Sequence, residues 1–424
     1  MKKNICRKKI IDTIIFIATT VLLSFFIILD KYSKISLVLG GVILFILFFS
    51  LFRRKITKKI KVESYHKFMF IFTMYCFLSS LWSTYPQNAI EKGNTMFQLL
   101  ICFTVLYSFY KYYPTEKLLK CTLYSSIIVT LYTVYNKGIM AIWNTLTKGQ
   151  RLEVDFANIN SISEICAIGV IIMFYYIFYK KKYMYIFFIG INIFIIAASG
   201  SRKSLALPII GCFLLIILKT IEKKGAMKNI LKITILSMLF YLSVKFILSL
   251  SIFSMINDRI NGLMSTFMGS GKIESSALTR KLMISLGIEQ FIKTPFLGIG
   301  IGNSGPIILA GTRYSNSYLH NNFVELLACG GMIGFFIYYS MYIYIFYKFL
   351  KKWKYRTDET ILCFVLCFCI LFLDYGQVSY YSKTTYFYLM IFFLEIYKIE
   401  KRKEYLNLIF KRSSMQKKYN FIKR

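Results

Sequence analysis

Apolar runs recur along the whole chain, at 11–29, 35–52, 68–82, 96–112, 118–136, 159–179, 183–199, 204–218, 230–250, 320–349, 359–375 and 384–399. A membrane-spanning helix needs about 20 mostly apolar residues, so these runs predict about twelve transmembrane helices, the shorter ones extended into their flanks. The fold class expected is therefore all-α and polytopic. A hydrophobic share of 57% and a mean hydropathy of +0.56 exclude an ordinary soluble globular chain. The first run follows a basic start, MKKNICRKK, but has no small-residue cleavage site, and it is expected to stay as an uncleaved first helix.

Charge supplies the topology. Lys and Arg total 54 against 19 Asp and Glu, a formal +35. In a soluble chain such a surplus would suggest nucleic acid. Here the basic connections, 53–67, 111–120, 180–182, 219–232, 348–356 and the tail from 398, all fall on one side of an alternating path. The connections between them, such as 83–95 and 374–382, are close to neutral. By the positive-inside rule both termini are cytoplasmic. The surplus then reflects topology and contact with anionic membrane lipids, and no nucleic-acid partner is needed. The organisation expected is nine helices over 1–250, a large outer loop over 251–319, three helices over 320–399, and a basic cytoplasmic tail over 400–424.

The most informative stretch is 295–334, PFLGIGIGNSGPIILAGTRYSNSYLHNNFVELLACGGMIG. Gly298, Gly300 and Gly302 mark backbone needing unusual dihedrals or close approach. GIGNSG at 300–305 has the G-x-G-x-x-G form, but it lacks the strand and helix of a dinucleotide site. His320, one of two histidines, falls where the loop meets a long apolar helix, with Asn316 and Ser317 as expected caps. By itself it reads either as a polar residue that starts a helix or as a proton acceptor facing water and an apolar wall. Glu325 is about 140° round the helix from His320, which favours a capping or interhelical role over a dyad. Gly330, Gly331 and Gly334 are expected to allow close helix packing. Upstream, a helix is predicted from Ser275 or Ser276 to Lys293, with Leu278, Leu282 and Leu286 as an apolar ladder and Arg280 on the opposite face. It ends before Pro295.

Cations on the outer side need a reason. Arg202 and Lys203 lie in a short turn between two spans, and Arg280 and Arg313 in the large loop. Any one of them could snorkel. Several together suit a phosphate anion, which guanidinium binds in bidentate fashion. No Asp-x-Asp pair or His/carboxylate cluster accompanies them, so neither a metal site nor a cofactor is expected. The ten cysteines mostly lie inside apolar runs and read as packing residues.

These residues resemble the O-antigen ligase and polymerase superfamily of bacterial envelope glycan enzymes. His320-Asn321, nine residues, Gly331, two residues, Gly334 matches the family signature H-[NSQ]-x9-G-x-x-[GTY]. Arg280 followed by PFLGIGIGN, which ends at Asn303, looks like its arginine and P-x-L-G-x-G-x-N segment, and Ser201-Arg202 resembles its S-R motif. The resemblance implies a GT-C-like helical membrane glycosyltransferase, acting with inversion and without metal on a polyprenyl-pyrophosphate-linked glycan at the outer face of the bacterial cytoplasmic membrane. Arg202 and Arg280 would bind the pyrophosphate and His320 would assist the acceptor hydroxyl. Asn303 and Asn321 join the substrate-binding set, and Arg313 joins it on charge alone. Relatives often have a small residue in place of Lys203. A flippase and a chain-length regulator are the implied protein partners.

The function expected is a polymerase that moves the growing lipid-linked glycan onto a lipid-linked repeat unit, for capsule, exopolysaccharide or O-antigen. The alternative within the family is a ligase acting on another acceptor. A lipid-linked glycan transporter is the remaining alternative, but transporters favour paired repeats and interrupted helices, and neither is visible in the sequence. Richness in Lys, Ile, Phe, Tyr and Asn points to an AT-rich bacterial genome and favours the polymerase reading.

Overall fold

The computed structural model describes residues 2–29, 62–221, 275–312 and 318–422, with isolated positions within 40–45 and 232–242. Among the described residues every regular element is helical. The helices are α1 (Lys2–Ile28), α2 (Ser64–Leu78), α3 (Pro86–Tyr110), α4 (Glu116–Lys137), α5 (Ile139–Thr147), α6 (Ile159–Lys180), α7 (Tyr185–Ser199), α8 (Arg202–Ile221), α9 (Ser275–Lys293), α10 (Ser304–Gly311), α11 (Asn322–Lys351), α12 (Asp358–Leu373) and α13 (Lys383–Ile422). Among the described residues five helices, at Ile10–Ile28, Glu116–Lys137, Ile159–Lys180, Arg202–Ile221 and Asn322–Lys351, are long and apolar enough to cross a membrane. The expected spans at 35–52 and 230–250 lie outside the described residues apart from isolated positions, and so does all of 251–274. The basic tail continues α13 as helix to Ile422.

The connections sort into two ends. At one, lysines meet carboxylates: Lys111 with Glu63 at 2.5 Å, Lys180 with Asp358 at 3.2 Å and Glu359 at 3.1 Å, and Lys348 with Glu400 at 2.7 Å. At the other, backbone bonds tie the α2–α3 turn to the Gly-rich loop (Thr84 N–H to Ile299 O, 3.3 Å) and the start of α11 to the α12–α13 turn (Asn322 N–H to Asp374 O, 2.8 Å). The expected helix at Ser275–Lys293 is present, but its leucine ladder does not pack inward. Leu278 and Leu282 are exposed, whereas Met283 and the Cα of Gly287 are buried. Gly287 lies so close to Leu319 and Val324 that a Cβ there would come within 2.6 Å of each. Arg280 shares the inward face with Met283 and Gly287 through i, i+3, i+7 spacing, so it points toward the start of α11.

The glycine-rich loop and α11 form one unit. α11 is broken at Gly331, which has φ 57° and ψ −169°, a region that only glycine occupies readily. The break would orphan backbone groups, which is costly inside a membrane protein unless other protein groups satisfy them. The loop does so on both sides. Ile299 and Gly300 donate to the carbonyls of Ala328 (3.2 Å) and Cys329 (2.9 Å), while Met332 and Ile333 donate to the carbonyls of Pro295 (2.8 Å) and Phe296 (3.2 Å). The Tyr75 hydroxyl donates to the Gly330 carbonyl, and Trp82 Nε1–H to the Leu297 carbonyl at 3.1 Å. Close approach needs glycine on both strands of this splice: a Cβ at Gly298 would sit 2.5 Å from Cys329 O, and one at Gly331 2.3 Å from Phe296 O. Gly334 lies under the Tyr75 ring, where a Cβ would come within 2.6 Å. The expectation that no helix is interrupted is thus corrected: a glycine doublet inside an apolar run reads as packing, and only the backbone shows the break. Gly331→Ala should destabilise the protein by at least about 1–3 kcal/mol from the dihedral alone. Thermal unfolding of the purified protein in detergent checks this, and an unchanged midpoint would mean that the splice is not needed.

Candidate functional site

His320 sits in the turn that enters α11. Its φ is 55°, left-handed backbone that is uncommon for a residue with a side chain. The turn is fastened on both sides. Leu319 is fully buried against Met283, Ile308, Val324 and Ala328, and its N–H donates to Glu325 Oε2 at 2.9 Å. Asn321 caps the helix through its side-chain oxygen, which accepts from the Val324 N–H at 3.1 Å. The cap is therefore Asn321, whereas Asn316 and Ser317 lie outside the described residues, as does Arg313.

Asn322 adds a second fastening. Its side-chain oxygen accepts from the N–H of Ser379 (2.9 Å) and of Tyr380 (3.0 Å), and its Nδ2 donates to Asp374 Oδ2 (3.2 Å) and the Tyr339 hydroxyl (2.9 Å). Asp374 also accepts from the Tyr339 hydroxyl at 3.0 Å and from Ser379 Oγ. All of these groups but Tyr339 are at most 1% exposed. A satisfied buried network of this kind fixes a geometry, here that of the chain leading out of His320.

The electrostatics around His320 are cationic. Its imidazole packs on Tyr318, with ring centroids 4.2 Å apart and planes at 49°. Burial, then the charges of Arg280 and Lys203, push its pKa down from 6.5 to about 4. At neutral pH the ring is therefore an uncharged acceptor. Burial raises the Tyr318 pKa, so its hydroxyl keeps its proton. Lys203 is paired with Glu164 at 2.6 Å and donates to Gln377. Arg202, the next residue back, opens α8, where Gly200 (φ 61°) reverses the chain and Ser201 bonds to Ser204 Oγ at 3.0 Å. Arg151 clamps this turn, donating to Ser199 O (3.1 Å) and Asn160 Oδ1 (2.7 Å).

Two cavities meet here. One, of about 420 Å³, is lined by Asn160, Glu164, Lys203, Gln377 and Lys383 and extends to apolar Phe26 and Ile27. A second, of about 570 Å³, lies toward Lys92 and Glu325. Tyr318 and Tyr381 line both. Asn303, expected to bind substrate, is fully buried. Its Nδ2 donates to Ser83 Oγ and to Gly300 O at 3.1 Å, clasping the Gly-rich loop to the α2–α3 turn. Gly300 packs on Ser83 and Gly302 on Lys92 and Asn88, each too closely for an easy side chain.

The helices define a helical membrane protein with a cavity, lined by Lys203, Lys383 and Glu164, that adjoins the His320 turn through Tyr318. Residues 185–339 match the family described as O-Antigen ligase. That segment, which holds Arg202, Arg280, Asn303, His320, Glu325, Gly331 and Gly334, is about a third of the chain, and the match supports a likeness to the O-antigen ligase/polymerase superfamily and a related glycan ligase or polymerase role. No curated protein matches the chain.

Lys92, Arg151, Glu164, Asn322 and Asp374 were not singled out by sequence. For Lys92 and Arg151 the signal was present, as cations in connections assigned to the outer side. Nothing in the pattern marked Asn322 or Asp374, which pair across 52 positions. Asp374→Ala leaves buried donors on Tyr339, Ser379 and Asn322 unpaired and should cost at least about 1–3 kcal/mol, the penalty of one such group. The thermal unfolding midpoint reads this, and no change would remove the network from the account.

Proposed function

We propose that the protein is a polysaccharide polymerase, which transfers a growing polyprenyl-pyrophosphate-linked glycan onto a lipid-linked repeat unit at the outer face of the bacterial cytoplasmic membrane. The observation that carries this reading is the His320 turn, a neutral imidazole in left-handed backbone beside Arg280 and Lys203. In the proposed step a hydroxyl of the acceptor sugar attacks the anomeric carbon of the donor from the face opposite the pyrophosphate. The C–O bond to pyrophosphate breaks, its electron pair leaves with the phosphate oxygen, and the hydroxyl proton passes to His320. Inversion follows from the direction of attack. Arg280, Arg202 and Lys203 supply the positive charge that stabilises the leaving group. Arg313 belongs to the same proposal on charge alone. Glu325 and Asn321 hold the turn and keep His320 in place.

His320 contributes typically 10²–10⁴-fold as a proton acceptor. Its low basicity belongs to the protein without substrate. Burial is the larger cause of its low pKa and the charges of Arg280 and Lys203 the smaller, and a pyrophosphate beside those cations offsets the second part, so the imidazole becomes more basic when the donor is bound. The ligase reading is favoured by one observation, the description of the matching family. Both readings use the same residues and differ in the acceptor.

A deletion strain separates them: unpolymerised repeat units should accumulate, whereas chains of normal length that remain unattached would favour the ligase. For the chemistry, a base must be unprotonated, so activity falls as pH falls through its pKa. With purified protein, kcat/KM, which reports the free enzyme, should fall as pH drops toward about 4, and the acid limb of kcat should lie at higher pH. Coincident limbs would contradict the electrostatic coupling of His320 to the donor.

A further inference from the structure

The second cavity has its own recognition chemistry, distinct from the cationic first one. Its volume of about 570 Å³ suits one or two sugar rings. Tyr85, Asn88, Lys92, Ser304, Tyr380 and Tyr381 line it, a mixture of aromatic faces, hydroxyls, an amide and an ammonium. Lys92 Nζ sits 3.6 Å from the centroid of the Tyr381 ring, which holds the ammonium at the cavity wall. Glu91 and Glu325 lie within electrostatic reach of Lys92, so the cavity carries both signs of charge and is not a second phosphate site. Tyr380 is fully buried, and its hydroxyl has no hydrogen-bond partner among the described residues. That hydroxyl is itself closed off, so Tyr380 offers the cavity its ring, while Tyr85 is half exposed at the cavity wall.

We propose that this second cavity is the acceptor subsite, binding the terminal sugar of the incoming glycan. Lys92, Asn88 and Ser304 take its hydroxyls, and Tyr85 and Tyr381 offer it a stacking face. The assignment rests on the glycan-transfer reading above and extends it by dividing the labour between the cavities. The first, with Lys203 and an apolar end at Phe26 and Ile27, takes the lipid pyrophosphate. Tyr318 borders both, and His320 packs on Tyr318. The two cavities thus adjoin at Tyr318, the residue against which His320 packs.

The test uses the full-length protein in nanodiscs and, as probe, the repeat-unit oligosaccharide released from the host's own lipid-linked precursor. Saturation-transfer NMR and titration measure its binding. Wild type should show transfer to the sugar protons. Tyr85→Ala, which removes a stacking face, and Lys92→Met should each weaken binding by about tenfold. Lys203→Met, in the first cavity, should leave oligosaccharide affinity within about twofold. No transfer in wild type, unchanged affinity in both second-cavity variants, or an equal loss in Lys203→Met would each overturn the assignment. If wild type elongates lipid-linked glycan while these affinities stay unchanged, only the subsite is lost. If second-cavity binding is found without any glycan transfer, the subsite stands and the enzymatic reading fails.

Discussion

Four backbone hydrogen bonds across the break in α11 hold the site together. A helix interrupted within a membrane protein must find partners for the carbonyls and N–H groups it releases. Here the segment from Pro295 to Gly300 supplies them in both directions. Gly298 and Gly331 let the two backbones approach to distances no side chain would tolerate. The splice joins the Gly-rich loop to α11 and, through Asn303 and Ser83, to the α2–α3 turn. His320 leads into that same α11, so its position is inherited from a glycine contact eleven residues away along the chain.

The second layer of control is electrostatic. A neutral histidine beside Arg280 and Lys203 is a weak base at rest, and an anion arriving between those charges strengthens it. In the proposed reaction the cations would have two effects in one place, binding the leaving group and tuning the acceptor of the proton. Lys203 stays compatible with this position because Glu164 pairs with it at 2.6 Å, which lowers the cost of keeping a lysine at a partly buried helix start. The polar network round Asn322 and Asp374 then fixes the direction in which α11 leaves the turn.

Much of the fold was legible because membrane physics writes itself into composition: apolar runs located helices such as Ile159–Lys180, and Ser275–Lys293 was readable from its caps and its proline stop. His320, Arg280 and the glycines were legible through spacing. What escaped depends on tertiary contact. The sequence shows the leucine ladder of α9 and Arg280 on the opposite face but not which face packs, and the packed one carries Met283 and Gly287, because glycine admits Leu319 and Val324. The break at Gly331 was hidden because glycine in an apolar run suits close packing and interruption equally well. Asn303 and Asn321 looked like ligands, but their side chains are engaged in a loop clasp and a helix cap. Lys92 and Asp374 drew no notice, since their partners Tyr381 and Asn322 are distant in sequence.

The most direct test is elongation by purified protein in nanodiscs, given a defined polyprenyl-pyrophosphate-linked repeat unit, with wild type and His320→Ala compared at equal amounts of folded protein. The account predicts a ladder of lengthening products with wild type and none with His320→Ala. A ladder that persists in the variant would remove His320 from the chemistry, and transfer only to some other added acceptor would contradict the polymerase reading.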